Sequence, residues 1–548
     1  MIGLTLNDGV KEMDSNIRLL DCTLRDGAYI VDARFGSPAI TGLIKKSEEA
    51  NIEVIECGWL KNQPHEEGTS FFHVPDDIRR YITEKKRGVT YAVMIDWDRY
   101  DLSQLPEYDG KSIDAIRVVF PHGRHREGMS VGKAIMEKGY KVFFQAANTL
   151  AYSDDELKDL AEEANRIAPV CLSVVDTFGA MYSEDLDRII RVLHNELAPG
   201  IGLGFHSHNN QQLSFALTMR FVESLKGKRS VTVDASLCGM GRGAGNATTE
   251  LVAGYLNRKH GCGYDMNAIM DAIDVYMEYF REHYSWGYST PYFIAGMYCC
   301  HVNNIAYLLK NHRTNSRDMR NIIESLSPED RRKYDYDLLE QKYLENQCRK
   351  VNDEDTVIEL ARRFAGRKIL LIAPGKSSLD DQAEIMGFIR REAPVVIGVN
   401  AFLPGYEYDY VFLTNSARYE YAQSAYPEQF AGTCKILLSN IKTEPSENEL
   451  IIGFERVVKR GWEHFDNAVI CCLRFMDKLR ADTVFLAGFD GFRSRYNESY
   501  ADEHIPAVNT SDDWDGLNDE ILDMFRDFKN TAVCTRNVEF LTESIFDR

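Results

Sequence analysis

Two histidines separated by a single residue are the feature of this sequence that most directly suggests chemistry. His206 and His208 end an apolar, strand-like run over residues 201–208. In a strand, residues i and i+2 point to the same side, so the two imidazoles project together, as suits a transition-metal ion. A third ligand must come from elsewhere in the chain, and Asp26, just past the strand-like run 17–24, is the candidate.

A carboxylate and two imidazoles on one side of a metal leave coordination positions open for a substrate. A 2-oxo acid can fill two of them with its carboxylate and keto oxygens, and the metal then acts as a Lewis acid that stabilises an enolate. Arg25, beside Asp26, adds a positive charge near the enolate oxygen. These residues predict an enzyme that makes or breaks a carbon–carbon bond next to a 2-oxo acid.

The elements that must position these residues are strands alternating with helices. Eight apolar runs separated by amphipathic stretches predict a closed (β/α)8 barrel, whose strand ends meet at one mouth. An open doubly wound sheet is the alternative, but it has no reason to stop at eight strands. The predicted strands cover residues 17–24, 53–59, 89–96, 114–120, 141–147, 171–177, 201–208 and 231–237. Polar residues at their ends include Asp21, Glu56, Asp96, Arg117, Gln145, Asp176, Asp234 and Ser236.

The chain is long enough for more than one domain, and its pattern changes twice. Residues 1–260 are predicted to form the TIM barrel, and residues 261–350 a helical appendage. Residues 351–548 again alternate buried strands with helices, which predicts a Rossmann-like α/β domain with an open parallel sheet. The fold class is therefore α/β throughout.

Four motifs in this order resemble the DRE-TIM metallolyases, the HMG-CoA lyase-like family. They are TLRDG (residues 23–27), Glu56, HSHNN (206–210) and GMGRGAGNATTE (239–250). The short GxGxGxGN loop is most similar to that of the 4-hydroxy-2-oxovalerate aldolases. The resemblance covers about residues 17–300.

The resemblance implies the roles of the site residues. It implies that Asp26, His206 and His208 bind a divalent metal such as Mn²⁺, Mg²⁺ or Co²⁺, with Asn246 as a further ligand in some members. It implies Arg25 as the enolate-stabilising residue, with Glu56 supporting Arg25 or the metal shell. The implied substrates are a small 2-oxo acid and an aldehyde.

One position departs from the family pattern. The aldolases carry a histidine, proposed as the catalytic base, where this chain has Tyr29. A phenol serves as acid or base only if its pKa is lowered. Tyr29 is the predicted catalytic residue at this position, and His122 and His125 in the loop after the fourth strand are alternatives to it.

The second domain carries weaker signals of a ligand. The segment APGKSS (373–378) follows a strand and opens a helix, so its amides could hold an anion. The predicted binding residues are Gly375, Ser377, Asn400 and Asp490, with Asn415 at another strand end. Short strings here resemble sialyltransferase-like and pterin pyrophosphokinase-like cores, which implies a nucleotide or phosphosugar as partner. By analogy, a bifunctional enzyme of this kind fits surface-polysaccharide or modified-sugar biosynthesis.

Composition excludes other classes of function. The net charge is −20, from 84 acidic and 64 basic residues, which argues against binding to nucleic acid or anionic lipid. The N-terminal segment does not read as a signal peptide, no run is long enough to span a bilayer, and the 12 cysteines form no CxxC pairs. We expect a cytoplasmic protein. We also expect a homo-oligomer, because of the helical appendage and because members of the resembled family form oligomers.

Three other functions are alternatives to the metal-dependent aldolase. A Schiff-base aldolase needs a lysine at a strand end, and none of the predicted ends offers one. A Claisen-type synthase needs room for an acyl-CoA, of which the sequence gives no signature. A non-catalytic ligand-binding barrel is disfavoured by intact Arg25, Asp26, His206 and His208 but kept open by Tyr29.

Overall fold

The computed structural model describes residues 16–82, 84–312, 314–443, 446–493, 499–506 and 513–547. They divide into two compact units. The first runs to Val302 and includes Arg331–Lys333, and the second comprises Asn303–Asp330 and the chain from Tyr334 onward. The division falls inside the segment predicted as the helical appendage.

The first unit contains a closed barrel of eight parallel strands, as predicted. Neighbouring strands pair around the ring, and β1 closes it by pairing with both β9 and β2. A short ninth strand, β3, extends the sheet beyond β2. The strands are β1 Ile17–Asp21, β2 Val54–Leu60, β3 Phe71–Phe72, β4 Thr90–Asp96, β5 Ala115–Phe120, β6 Lys141–Ala146, β7 Cys171–Asp176, β8 Gly202–Ser207 and β9 Val231–Ala235.

Helices surround the barrel and bury its outer face. They are α1 Thr23–Asp26, α2 Ala28–Val31, α3 Ser37–Glu49, α4 His125–Glu137, α5 Asp154–Ile167, α6 Ser183–Glu196, α7 Ser214–Leu225, α8 Thr249–His260, α9 Met266–Ala272, α10 Glu278–His283 and α11 Thr290–Met297. A π-helical stretch, Ile273–Met277, joins α9 to α10. Short 3-10 helices cover Pro75–Tyr81, Leu102–Gln104, Thr149–Ala151 and Leu237–Gly239.

Two of the connections between barrel strands contain no α-helix. The chain between β2 and β4 forms β3 and the 3-10 helix Pro75–Tyr81, and the chain between β4 and β5 forms only Leu102–Gln104. Both segments are rich in Pro, Gly and Asp, residues that interrupt a helix or favour turns. The barrel closes without these two helices because hydrogen bonds between neighbouring strands form the complete ring.

Local sequence explains how helices are positioned on the barrel. Helix α5 begins with a capping box, in which Ser153 N donates to Glu156 Oε2 (2.8 Å) and Glu156 N donates to Ser153 Oγ (3.3 Å). Helix α4 has glycines four residues apart on its inner face. A Cβ at Gly128 would lie 2.5 Å from the Phe120 ring, and one at Gly132 would lie 2.2 Å from the Phe144 ring. These glycines let α4 pack closely on β5 and β6.

The second unit contains a seven-stranded parallel sheet in the order β14-β13-β12-β11-β10-β15-β16. The chain runs outward from β10 to β14 and then returns to β15 on the other side of β10. The strand order therefore reverses between β10 and β15, as in a Rossmann-like sheet. The strands are β10 Ile369–Ile372, β11 Val395–Val399, β12 Tyr410–Leu413, β13 Cys434–Leu438, β14 Glu449–Ile452, β15 Thr483–Ala487 and β16 Asn537–Phe540.

The helices of the second unit pack on both sides of this sheet or precede it. They are α12 Val302–Asn311, α13 Ser316–Ser325, α14 Pro328–Arg332, α15 Tyr336–Gln347, α16 Glu354–Phe364, α17 Ser377–Asp380, α18 Gln382–Glu392, α19 Ser416–Ala425, α20 Pro427–Gly432, α21 Phe454–Val457, α22 Ala468–Lys478 and α23 Trp514–Thr531. Among the helices that the structure describes, none combines the length and apolar character needed to cross a bilayer.

Candidate metal centre

The three predicted metal ligands meet at the mouth of the barrel. Asp26 ends α1, the single helical turn that follows β1, while His206 lies in β8 and His208 comes directly after it. One oxygen of Asp26 and one nitrogen of each imidazole lie within 4.8 Å of one another. The imidazole ring centroids are 5.2 Å apart and nearly perpendicular, at 84°.

The unsatisfied atoms of this cluster fit a cation. His206 Nε2 and His208 Nδ1 each lie 3.9 Å from Asp26 Oδ2, too far for a hydrogen bond. Among the described residues, none makes a well-formed hydrogen bond to Asp26 Oδ2 or His208 Nδ1, although both atoms are buried. Buried polar atoms without partners are costly, and one cation between them would satisfy both. Two nitrogen ligands and one carboxylate oxygen are a donor set typical of first-row divalent metals.

The charge states of the cluster also suit metal binding. Burial by itself would raise the pKa of Asp26, but Arg25 and the two imidazoles outweigh it and hold the pKa well below its ordinary value. Burial lowers the pKa of His208 to about 4, against the opposing attraction of Asp26. At neutral pH the cluster therefore contains an ionised carboxylate and a neutral His208, the forms that bind metal ions.

A network of buried ion pairs holds the ligands in place. Arg25 donates from Nη1 to Asp26 Oδ1 (2.6 Å) and from Nε to Glu56 Oε2 (2.8 Å). Arg117, which is fully buried in β5, donates to the same Glu56 oxygen (2.7 Å) and also to Asp234. Two guanidinium groups and three carboxylates thus link α1 with β2, β5 and β9 across the barrel.

Asp234 extends this network to a predicted metal ligand. Its Oδ2 lies 3.1 Å from His206 Nδ1, leaving Nε2 of that ring directed toward Asp26. A carboxylate behind a histidine is the usual arrangement that orients a metal-binding imidazole. The sequence placed Arg117 and Asp234 at strand ends but did not identify them as site residues. The two lie far apart in the chain, and only the closed barrel brings them together.

The glycine-rich loop after β9 brings Asn246 to the site. The backbone of Asn246 pairs with that of His208 in an isolated antiparallel bridge. Its Nδ2 donates to Met240 O (3.3 Å), and among the described residues its buried Oδ1 has no partner. A Cβ at Gly241 would lie 2.4 Å from Asn246 Nδ2 and 2.9 Å from Asp26 Oδ2, so only glycine lets the loop approach this closely.

Comparison with known proteins shows what the barrel is similar to. The HMGL-like family model matches residues 126–275, which run from α4 into the π-helical stretch after α9. The oxaloacetate decarboxylase of Mycobacterium tuberculosis is 26% identical over 46% of this chain and 74% of its own length. The 4-hydroxy-2-oxovalerate aldolase of Thermomicrobium roseum is 26% identical over 47% of this chain and 71% of its own.

The match over residues 126–275 and the named relatives support a DRE-TIM metallolyase barrel similar to the HMGL-like family. Among solved structures, the HMG-CoA lyase of Brucella melitensis is 16% identical over 49% of this chain and 99% of its own, with a TM-score of 0.38. Members of the HMGL-like family include metal-dependent aldolases and lyases that act on 2-oxo acids. The predictions of an enzyme and of a metallolyase barrel are thereby confirmed.

In this HMGL-like barrel, Tyr29 contacts Trp59 and Arg242. The ring centroids of Tyr29 and Trp59 are 6.0 Å apart, and the Arg242 guanidinium lies 5.0 Å from the centre of the Tyr29 ring. Although 47% of the residue is exposed, desolvation raises the pKa of its phenol to about 12. A tyrosine needs a lowered pKa to act as a catalytic base, and the pKa of Tyr29 is raised instead.

His301, a histidine that the sequence did not indicate, is close enough to His208 for that residue to affect its pKa. It follows α11, where no strand end predicted a functional residue, and Arg242 Nη2 lies 3.3 Å from its Nε2. Burial and the nearby charge of Arg242 lower the pKa of His301 to about 3, so the ring is neutral at pH 7. The neutral imidazole can accept a hydrogen bond, but this low pKa makes it a weak base.

The two histidines considered as alternatives to Tyr29 have other partners. His122 Nε2 lies 3.1 Å from a carboxylate oxygen of Glu156, and His125 Nε2 lies 2.8 Å from one of Asp159. Both acids belong to α5, on the outer layer of the barrel. These pairs join α4 and the loop before it to α5, and among the described contacts neither histidine touches the ligand cluster.

Asp21, at the end of β1, leads to a prediction about stability. Its carboxylate accepts hydrogen bonds from Thr23 N (3.0 Å) and Thr249 Oγ1 (2.9 Å), yet burial raises its pKa to about 6. Because the folded pKa exceeds the unfolded one, wild-type stability falls as pH rises through about 6. Asp21→Asn should raise the free energy of unfolding of the barrel at pH 8 by on the order of 2 kcal/mol.

The measurement is calorimetric or chemical unfolding of both proteins between pH 4.5 and 8. The gain of Asp21→Asn should shrink toward pH 4.5, where the wild-type carboxyl is already protonated. Asp155→Asn, at an exposed position on α5, is the control and should show no such dependence. A gain for Asp21→Asn that does not vary with pH would contradict the assignment.

The residues predicted to bind a ligand in the second unit lie at the carboxyl edge of its sheet. Ser377 donates hydrogen bonds from its backbone N (2.9 Å) and its hydroxyl to the carboxylate of Asp490. The amide that was predicted to bind an external anion therefore already binds a carboxylate of the protein. Burial raises the pKa of Asp490. Asn400 donates to Thr414 Oγ1 (2.9 Å) and accepts from Thr414 N (2.8 Å), which ties β11 to β12. Gly375 borders the same cavity as Asn400 and Asp490.

Proposed function

We propose that the barrel is a divalent-metal-dependent aldolase that forms or cleaves a carbon–carbon bond through the enolate of pyruvate or a related 2-oxo acid, with an aldehyde as partner. The observation that carries the proposal is the convergence of Asp26, His206 and His208 beside the guanidinium of Arg25, with buried ligand atoms that have no hydrogen-bond partner among the described residues. The named relatives support the substrate class, since one is a 4-hydroxy-2-oxovalerate aldolase and another an oxaloacetate decarboxylase.

The proposed metal ligands are Asp26, His206 and His208, with the amide oxygen of Asn246 as a further ligand. A bound divalent cation would supply Lewis acidity at the keto oxygen of the substrate. Because two of the three donors are imidazoles, Mn²⁺ or Co²⁺ suits the site better than Mg²⁺, which prefers oxygen ligands.

In the cleavage direction, a 4-hydroxy-2-oxo acid loses the proton of its C4 hydroxyl to a base. The C3–C4 bond then breaks, an aldehyde leaves, and the electron pair of that bond moves to the C2 oxygen as an enolate. Protonation at C3 gives pyruvate or its homologue, so the two products contain all the atoms of the substrate. Arg25 is held beside Asp26 by the hydrogen bond to Oδ1 (2.6 Å), which fixes a cation where the enolate oxygen gains charge.

The residues around the metal-ligand cluster have different proposed roles in the reaction. His301 lies against Arg242 and is our candidate for the group that accepts the hydroxyl proton, although a pKa of about 3 makes its imidazole a weak base. Tyr29 keeps its proton because its pKa is about 12, so we assign it hydrogen-bond donation to the substrate and not the role of base. Glu56 acts through Arg25, whose Nε donates to its Oε2 (2.8 Å).

A second candidate function is decarboxylation of a 2-oxo dicarboxylic acid. It produces the same enolate, but loss of CO₂ requires no base to remove a hydroxyl proton. The undeprotonated Tyr29 at the position of the family's histidine favours this alternative, and so does the similarity to an oxaloacetate decarboxylase.

Exchange of the pyruvate methyl protons with D₂O tests the proposed function without knowledge of the aldehyde. The Mn²⁺-loaded protein should exchange them at least about 100-fold faster than the same protein in chelator, because enolisation needs the Lewis acid. Proton NMR of the methyl signal measures the rate. Exchange that is unaffected by chelator, or no exchange in either sample, would contradict a metal-stabilised pyruvate enolate.

Two further substrates separate the candidates. Metal-dependent CO₂ release from oxaloacetate without cleavage of 4-hydroxy-2-oxo acids identifies the decarboxylase, and the reverse result identifies the aldolase. Exchange with acetyl-CoA and not with pyruvate would instead indicate the Claisen-type synthase considered from the sequence.

A further inference from the structure

A cavity in the second unit lies where the strand order of its sheet reverses. It has a volume of about 120 Å³ and is bordered by the loops that follow β10, β11, β12 and β15. In open α/β sheets, ligands bind at the carboxyl ends of the strands beside such a reversal. The position of the cavity is therefore that of a ligand site, and it is independent of the chemistry proposed for the barrel.

The decisive side chain in this cavity is Arg418. It is only 3% exposed, and among the described residues none accepts a hydrogen bond from its Nε or Nη1. Its guanidinium lies 4.9 Å from the centre of the Tyr500 ring, a flat aromatic surface, and within the part of the chain that the structure describes no carboxylate forms an ion pair with it. A buried cation without a hydrogen-bonded anion is strongly unfavourable, so an anionic ligand is the natural partner for Arg418.

The elements around Arg418 fix its position in the cavity. Arg418 lies in the first turn of α19, where Asn415 caps the helix by accepting a hydrogen bond from Arg418 N (3.0 Å). The backbone of Tyr500 forms a bridge with that of Gly375, which joins the aromatic partner of Arg418 to the loop after β10. The guanidinium therefore has little freedom to leave the cavity for solvent.

The rest of the lining indicates what else the ligand carries. Phe489, Phe492 and Phe546 offer apolar surface on which a flat ring can stack. Asp466 and Asp490 are acceptors that suit hydroxyl or amino groups of a ligand. The ligand should thus combine one strongly anionic group with hydrogen-bond donors.

We infer that this cavity binds the phosphate group of a small phosphorylated molecule, with Arg418 as the residue that pairs with the phosphate. Guanidinium groups match phosphate oxygens in geometry and charge. Nucleotides and sugar phosphates share this chemistry, and the two differ in whether a flat ring occupies the aromatic part of the cavity.

Calorimetric titration of the full chain tests the inference. The probes are inorganic phosphate, the four ribonucleoside monophosphates, glucose 1-phosphate and the unphosphorylated nucleosides, each in the presence of chelator. At least one phosphorylated organic probe should bind the wild type, and Arg418→Met should weaken it at least about tenfold. Binding of nucleotides but not glucose 1-phosphate identifies the ring-bearing class, and the opposite result identifies sugar phosphates.

Matched variants make the test decisive. Arg474→Met removes another largely buried arginine of the same unit that does not line the cavity, so its binding should equal that of the wild type. His206→Ala should also bind normally, which separates this site from the barrel. The inference is overturned if no phosphorylated probe binds, if Arg418→Met binds as tightly as the wild type, or if nucleosides bind as tightly as nucleotides.

A stability measurement separates a ligand-binding role of Arg418 from a structural one. If the charge of Arg418 is compensated only by a bound ligand, Arg418→Met removes an uncompensated charge from the ligand-free protein. Its thermal midpoint should then be unchanged or raised. A lowered midpoint would indicate that Arg418 supports the fold. Arg418→Lys keeps the charge but loses the planar donor array, and weaker phosphate binding by this variant is the expected result if Arg418→Met does not fold.

Discussion

Replacing His206 with alanine should remove tight divalent-metal binding and lower the rate of pyruvate proton exchange by at least about 1,000-fold. The physical reason is the loss of one of three ligands from a cluster whose atoms lie within 4.8 Å of one another. Asp26, His208 and the proposed further ligand Asn246 would remain, and this set of two oxygens and one nitrogen binds first-row divalent cations more weakly than a set with two imidazoles. The rate of exchange by NMR and the metal content of the purified protein measure the two effects.

His125→Ala is the matched control for this variant. His125 belongs to the same barrel but pairs with Asp159 on the outer layer, at 2.8 Å. It should keep the wild-type metal content and exchange rate. Full turnover by His206→Ala in chelator would contradict metal binding by the cluster. Loss of activity in His125→Ala would indicate that His125 takes part in the reaction, contrary to its position on the outer layer.

Arg25→Gln should lower kcat by about 100- to 1,000-fold, the usual effect of removing one donor from a site that stabilises an oxyanion. Metal should still bind, because none of the proposed metal ligands is removed. The amide of glutamine keeps some hydrogen-bonding capacity but no charge. Steady-state kinetics with a 4-hydroxy-2-oxo acid and a parallel metal titration measure the two quantities.

Arg25→Lys separates charge from geometry in this prediction. Lysine restores the positive charge but cannot donate simultaneously to Asp26 and Glu56 from a planar group, so its kcat should lie between the wild type and Arg25→Gln. Glu56 remains paired with Arg117 in both variants, which keeps one cation in the network. A wild-type kcat in Arg25→Gln would remove Arg25 from the mechanism, and a complete loss of metal would make it a positioning residue.

The sequence predicted the parts of the site that depend on strand ends. Each of the eight barrel strands was predicted because an apolar run has a recognisable length and alternates with helical segments. Once closure of the barrel was predicted, the proximity of Asp26 to His206 and His208 followed from strand order alone. The Rossmann-like sheet was predicted for the same reason, although β14 and β16 were not, because both are short and only partly buried edge strands.

The contacts that the sequence could not predict are those set by side-chain direction across the barrel. Arg117 and Asp234 lie on strands that are not neighbours, and nothing local in either strand indicates that they pair. His301 was missed because it follows a helix and not a strand. Ser377 was predicted to hold an external anion, but whether Asp490 reaches it depends on the loop after β15, whose path is not encoded in a short motif.

Binding of Mn²⁺ to the full chain, followed by electron paramagnetic resonance, tests whether the three proposed ligands hold one metal ion. We expect one tight site per chain in the wild type, a change in the bound-ion spectrum when pyruvate is added, and loss of the tight site in His206→Ala but not in His125→Ala. A wild-type protein without a tight site, or a site that survives in His206→Ala, would contradict the convergence of Asp26, His206 and His208 on one metal ion.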